Sequence, residues 1–213
     1  ASVNKKFYNI KSDNLSGNDL IICNILKSYI QLIIKKDARL DQFEIVELEH
    51  PIEALFEIDL QNKIETVKIG GIVDRIDRTM GITRITDYKT GNTSMEIPAI
   101  ESLFDDVGND RNDSWFQILL YCNVFVNMNK EQRVRPAVYP VRSMYGEDFV
   151  DSLKVKDLKG HAVLVDDFEK VRELFNFYLK QTIENIFSSD VPFIMTDNLK
   201  KCGFCPYARL CQR

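Results

Sequence analysis

Two aspartates and a lysine stand where they could cut a phosphodiester. Asp74 lies in Gly70-Gly71-Ile72-Val73-Asp74-Arg75-Ile76-Asp77, and Asp87 and Lys89 lie in Ile85-Thr86-Asp87-Tyr88-Lys89-Thr90-Gly91. Both runs alternate with the period of a β-strand. Thr79-Met80-Gly81 supplies a tight turn between them, so they should pair as an antiparallel hairpin with Asp74 and Asp87 near the same end. Asp87 and Lys89 share a strand face, because side chains at i and i+2 point the same way. A hard cation such as Mg²⁺ needs carboxylate oxygens and keeps several waters, which leaves positions open for a phosphate and an attacking water. A lysine beside such a ligand can orient or deprotonate that water and offset the charge that develops on phosphorus. The competing reading makes Asp74-Arg75-Ile76-Asp77-Arg78 a solvated strand with cross-strand ion pairs, each worth ~0.2–1 kcal/mol.

The C-terminal Cys202-Gly203-Phe204-Cys205-Pro206-Tyr207-Ala208-Arg209-Leu210-Cys211 spaces three thiols as C-x2-C-x5-C. In an intracellular protein this reads as metal binding in preference to a disulfide framework. A [4Fe-4S] cluster usually takes four cysteines, and the remaining candidates are Cys23 and Cys122. Cys122 reads as a small buried apolar residue, and Cys23 lacks the neighbouring proline and aromatic pattern of a cluster ligand. Three thiols alone can also take zinc with water or a fourth residue, or stay free. His50 and His161 read as surface or strand-end residues.

Taken together, G-x-x-D-R-I-D and I-x-D-Y-K-T-G resemble the PD-(D/E)xK nucleases of the RecB and AddB type. Upstream, Glu49 ends Ile45-Val46-Glu47-Leu48-Glu49, and downstream Gln117 and Tyr121 fit the helical Q-x-x-x-Y motif, whose spacing of four puts both on one helix face. The resemblance implies that Asp74 and Asp87 bind metal, that Glu49 is a further ligand or water-orienting acid, and that Lys89 is the catalytic lysine. It gives Gln117 and Tyr121 a substrate-positioning role. Glu47 competes with Glu49, since a two-residue register shift preserves the face. Gln117 and Tyr121 also read as a buried tyrosine hydrogen-bonded to its neighbour. By the same resemblance Cys202, Cys205 and Cys211 are the last three ligands of an iron-sulfur staple whose fourth cysteine precedes the nuclease motifs.

The implied function is Mg²⁺- or Mn²⁺-dependent hydrolysis of DNA, single-stranded in the first instance, within a helicase-nuclease complex for double-strand-break repair. Its partners would be DNA and a partner subunit or the rest of a parent chain. The sequence begins without an initiator methionine and lacks the family helix that bears the first cysteine and an active-site histidine, so a fragment with an incomplete cluster is expected. Two alternatives stay open: a catalytically inactive DNA-binding or structural module, and a freestanding nuclease of mobile-element defence. No G-x-x-x-x-G-K-[ST] loop is present to hold nucleotide phosphates, so a motor function is not supported in this chain.

Residues 1–213 read as one domain, with 45% apolar and 28% charged residues. The expected elements are an amphipathic helix over 19–35, a strand ending near Glu49 and another over 54–60, and a turn at Gln61-Asn62-Lys63. Strands over 64–77 and 81–89 follow, then a polar segment over 91–113 that borders the site. A helix over 115–128, a buried strand over 137–141 and a long helix over 165–187 complete the list. This order gives an α/β or α+β fold with a mixed central sheet flanked by helices, and the resemblance specifies a restriction-endonuclease-like core. No membrane span or signal peptide is evident, and a cytoplasmic location is expected. The net charge of −4 is low for a DNA-binding protein. A local positive track is expected from Arg75, Arg78, Arg84, Lys89, Arg111, Lys200, Lys201, Arg209 and Arg213.

Overall fold

A 17-residue strand with a proline in its middle opens the sheet. In the computed structural model, which describes residues 17–60, 63–105, 113–129, 133–146, 149–157, 159–196, 199–203 and 205–212, the two strands expected on either side of position 51 are one, β1 (Glu44–Leu60). Pro51 cannot donate to a ladder, but β1 is the edge of the sheet order β1-β2-β3-β5, where that donor is dispensable. β1 pairs antiparallel with β2 (Lys63–Thr79), and β2 with β3 (Ile82–Lys89). Met80 (φ 50°) and Gly81 (φ 74°) form the two-residue turn between β2 and β3, with the positive φ at both positions that a tight hairpin turn requires. β5 (Val134–Pro140) then joins β3 in parallel, which makes the sheet mixed. The expected turn residues Gln61 and Asn62, and residues 106–112 of the polar segment, lie outside the described residues.

Helices cover both faces. α1 (Asn18–Asp37) packs Tyr29, Leu32 and Ile33 against Tyr139, Val141 and Met144 on one side. On the other, α2 (Asp113–Asn129) buries Trp115, Ile118, Leu119, Cys122, Val124 and Val126 against Ile52, Ile76, Ile85 and Val138 of the sheet. α3 (Glu169–Phe187) adds Phe175, Leu179 and Ile183 to this main core. It starts four residues later than expected, because Phe168 is its N-cap residue and Val165 still bonds back to Leu153. A second small sheet of β4 (Glu96–Ile97), β6 (Lys154–Lys156) and β7 (Ala162–Leu164), and the short α4 (Leu199–Cys202), are additions to the expected elements. Strands of two or three residues carry too little alternation to read. The expected amphipathic helix is α1, and Leu20, Ile21, Ile22, Ile25, Leu26, Ile30 and Ile34 on it are exposed. Among the described residues no helix is long and apolar enough to cross a membrane.

β2 departs from strict alternation where the acids lie. Val73 and Ile76 are both in the main core although they are three residues apart, which period-2 geometry alone cannot deliver. Facing this point, the pairing passes from Leu48–Arg75 to His50–Val73 with Glu49 between them at φ 50°. The irregularity thus falls at Asp74 and its cross-strand neighbour.

Candidate active site

Asp74 and Asp87 face each other where β2 and β3 part. The last regular pairs are Ile76–Ile85 and Arg75–Thr86, so the next residues out are the two aspartates. The Tyr88 amide, released from the hairpin ladder there, donates to Asp74 Oδ2 at 2.9 Å and pins that carboxylate across the gap. Asp87 is 3% exposed. Lys89 Nζ lies 2.8 Å from Asp87 Oδ2. This ion pair is the direct cationic contact of the Asp87 carboxylate, with Nζ off the direction of a well-aligned hydrogen bond. The ammonium donates instead to Gln117 Oε1 at 2.7 Å, and Gln117 Nε2 donates to Tyr121 OH at 3.0 Å. One turn of α2 therefore fixes the lysine, as the spacing of four required.

Burial raises the Asp87 pKa above the ordinary carboxylate value; Lys89 beside it offsets this in part, and the charge of Asp74 adds to it. A buried acid next to a second carboxylate, with the ammonium of Lys89 set against two negative charges, is disfavoured as it stands and is relieved by a cation. This donor set fits Mg²⁺ or Mn²⁺, which bind through one or two carboxylates and leave positions for water and phosphate.

Gly71 belongs to the same assembly. A Cβ there would come within 2.7 Å of Tyr121 Cε1 and 2.8 Å of its hydroxyl, so only glycine lets the ring stand over β2. The Gly-Gly pair inside a strand is the sequence signal for such a close approach. The Tyr88 amide had no signal, since any residue could supply it.

Other expectations are corrected. Glu49 lies across from Asp74 in β1, exposed and with a left-handed backbone at φ 50°, and among the described residues it completes no three-acid group. Glu47, its competitor, is also exposed and lies 3.8 Å from His50 Nδ1. Cys202, Cys205 and Cys211 form no disulfide, and among the described residues no three His, Cys, Asp or Glu side chains gather into a metal-holding group. Cys202 ends α4, Cys205 lies in irregular chain and Cys211 in the turns after it, and they do not gather into a metal-holding group among the described residues. Cys23 and Cys122 are buried away from them, and burial pushes the Cys122 thiol well up. His161 pairs with Asp157 on the surface.

The expected positive track also changes. Arg75 and Arg84 are 1% and 0% exposed, on the α1 side of the sheet. Arg75 donates to Asp77 at 2.7 Å, to both oxygens of Asp37 at 2.8 and 3.1 Å, and to Tyr88 OH at 2.7 Å. Arg84 donates to Asp77 at 2.6 Å and Asp151 at 2.7 Å, and Arg135 also pairs with Asp151. Burial opposes the charge on both arginines, but these carboxylates outweigh it and raise the pKa. Neither arginine is a surface cation, and the solvated-strand reading fails for the same reason. Arg111 and Arg213 lie outside the described residues, as do the side chains of Lys200 and Lys201.

The family model of the PD-(D/E)XK nuclease superfamily matches residues 17–212. Among curated proteins, none matches this chain. The crystal structure of SSO0001 covers 92% of this chain and 71% of its own at 15% identity and a TM-score of 0.33, a likeness too distant to carry an argument. Members of the superfamily are typically nucleases that use divalent metal ions. With a mixed sheet flanked by helices, an aspartate pair and a lysine held from the next helix, and a family match over nearly its whole length, this chain belongs to the PD-(D/E)XK nuclease superfamily.

Proposed function

We propose that this protein hydrolyses the phosphodiester backbone of single-stranded DNA with Mg²⁺ or Mn²⁺ held by Asp74 and Asp87. The observation that carries the reading is the buried Asp87 carboxylate opposite Asp74, with the Lys89 ammonium 2.8 Å from its Oδ2. A bound divalent cation supplies charge to the phosphoryl oxygens and acidifies water. The chain's own residues do the rest. Gln117 holds the Lys89 ammonium at the acid pair, where it can donate to a phosphoryl oxygen as water oxygen bonds to phosphorus and the ester oxygen leaves with a proton. Tyr121 orients Gln117 and Gly71 makes room for Tyr121. Glu49 is retained as an acid that substrate binding could recruit, from its place opposite Asp74 in β1. We place the activity in a cytoplasmic helicase-nuclease complex for break repair, with a partner subunit or further chain as the motor.

Cleavage of labelled single-stranded DNA by the wild type, Asp87→Ala and Lys89→Ala tests this. Metal-dependent cutting by the wild type and a loss on the order of 10³-fold in each variant is expected; equal cutting by all three would refute the assignment. A second reading, binding without turnover, draws on the lack of a third assembled acid among the described residues. It predicts that exchanging Ca²⁺ for Mg²⁺ leaves bound DNA intact.

A further inference from the structure

We propose that Arg142 and Tyr145, on the loop that follows β5, clamp the nucleotide next to the scissile phosphate, Arg142 taking its phosphate and Tyr145 its base. The inference rests on the nuclease reading and adds where the substrate strand is held beyond the acid pair. Backbone contacts bring the loop to the site. β5 runs parallel to β3, and its last residue, Pro140, pairs with Lys89, the last residue of β3. The Val141 amide then donates to the Lys89 carbonyl at 2.9 Å, so Arg142 follows a residue bonded directly to the lysine. Adjacent strands are about 4.8 Å apart, a gap that an arginine side chain spans. Both strands finish here at their carboxyl ends, where loops of parallel strands gather side chains around a ligand.

The loop is anchored while these two side chains stay outside. Val141 and Met144 are buried in the cluster beneath α1. The Ser143 amide and hydroxyl both donate to the Pro140 carbonyl, at 2.8 and 3.1 Å, and Lys36 Nζ donates to the Gly146 carbonyl at 2.6 Å. Between these anchors Arg142 is exposed and Tyr145 is 64% exposed. Arg75, Arg84 and Arg135 are engaged by Asp37, Asp77 and Asp151, whereas among the described residues no carboxylate pairs with Arg142. An unpaired guanidinium offers a planar fork to phosphate oxygens, and an exposed ring offers a stacking face to a base. Cation and ring on one short, tethered loop suit an unpaired strand, since only an unpaired base is free to stack on a side chain.

The test is the affinity for labelled oligo-dT in Ca²⁺, measured across a KCl series. Arg142→Ala should reduce the slope of log K against log salt by about 0.7, the loss of one phosphate contact to a single strand, and Arg142→Lys should retain the wild-type slope. Tyr145→Ala should weaken binding roughly tenfold at unchanged slope, and Tyr145→Phe should keep the wild-type affinity. Lys63→Ala, at the opposite end of β2, should leave both quantities as they are. An unchanged slope in Arg142→Ala, or an unchanged affinity in Tyr145→Ala, overturns the clamp, as does a wild type that does not bind oligo-dT. Cleavage in Mg²⁺ separates the clamp from the nuclease reading. Both variant effects without wild-type cleavage support the clamp and refute the nuclease reading, while wild-type cleavage with an unchanged slope does the reverse.

Discussion

The β2–β3 hairpin carries charge on both faces and treats it in opposite ways. On the α1 side, Arg75 and Arg84 share Asp77, and Asp37 and Asp151 close the chain, so each buried charge has opposite charges in hydrogen-bonding contact. On the α2 side two acids, Asp74 and the buried Asp87, have only the ammonium of Lys89 in ion-pair contact among the described residues. The same residue types thus build a saturated network and an unsaturated one. The first locks the hairpin; the second leaves negative charge in excess. The faces meet in Tyr88, whose hydroxyl accepts from Arg75 and whose amide donates to Asp74. Burial pushes its phenol up to about 12, against the pull of Arg75, so the hydroxyl stays neutral.

The comparison breaks most sharply at Asp77. Asp77→Ala leaves two buried guanidinium groups short of a carboxylate and should cost about 3–5 kcal/mol, read as a fall in the urea midpoint. Asp87→Asn removes a charge of the other kind and should leave that midpoint unchanged or higher. If the two substitutions destabilise alike, the distinction between the faces is wrong.

Next in size is Gly71→Ala. The added methyl must push the Tyr121 ring off β2, which loosens Gln117 and Lys89. Cleavage should fall on the order of 10- to 100-fold, and removing the ring as well, in Gly71→Ala with Tyr121→Ala, should not restore it. Wild-type rates in Gly71→Ala would mean that Tyr121 supports nothing.

The smallest effect sharpens the contrast through pH. Since the folded-state pKa of Asp87 is raised, the protonated acid is favoured by the fold. Its contribution to stability is present below the unfolded value near 3.8 and is lost as pH rises through the raised value. Metal binding needs the ionised form, so the acid limb of a pH–cleavage profile should lie above the ordinary carboxylate range. Lys89→Met should move it higher still, as the lysine holds that pKa down. Stability in acid urea titrations should show the matching slope in the wild type and not in Asp87→Asn.

Much of the site was legible because it is local. Alternation and the Met80-Gly81 turn put Asp74 opposite Asp87, and the i, i+2 and i, i+4 spacings put Lys89 and the Gln117–Tyr121 pair on usable faces. What could not be read depends on distance or on single dihedrals. Asp37 is 38 residues from Arg75 and Asp151 is 67 from Arg84, so nothing in the hairpin's letters said that its arginines were buried. Glu49 matched by position, but its φ of 50° is invisible in sequence. The cysteine spacing permitted convergence without requiring it. Pro51 looked like a break because an edge strand is known only once the sheet is assembled.

Isothermal titration of Mn²⁺ into the wild type and Asp87→Asn at neutral pH tests the central claim most directly. The paired acids predict saturable binding in the wild type, weakened at least tenfold in Asp87→Asn at unchanged thermal stability. Equal Mn²⁺ affinity in the two proteins would contradict the claim that the Asp74–Asp87 pair holds the cation.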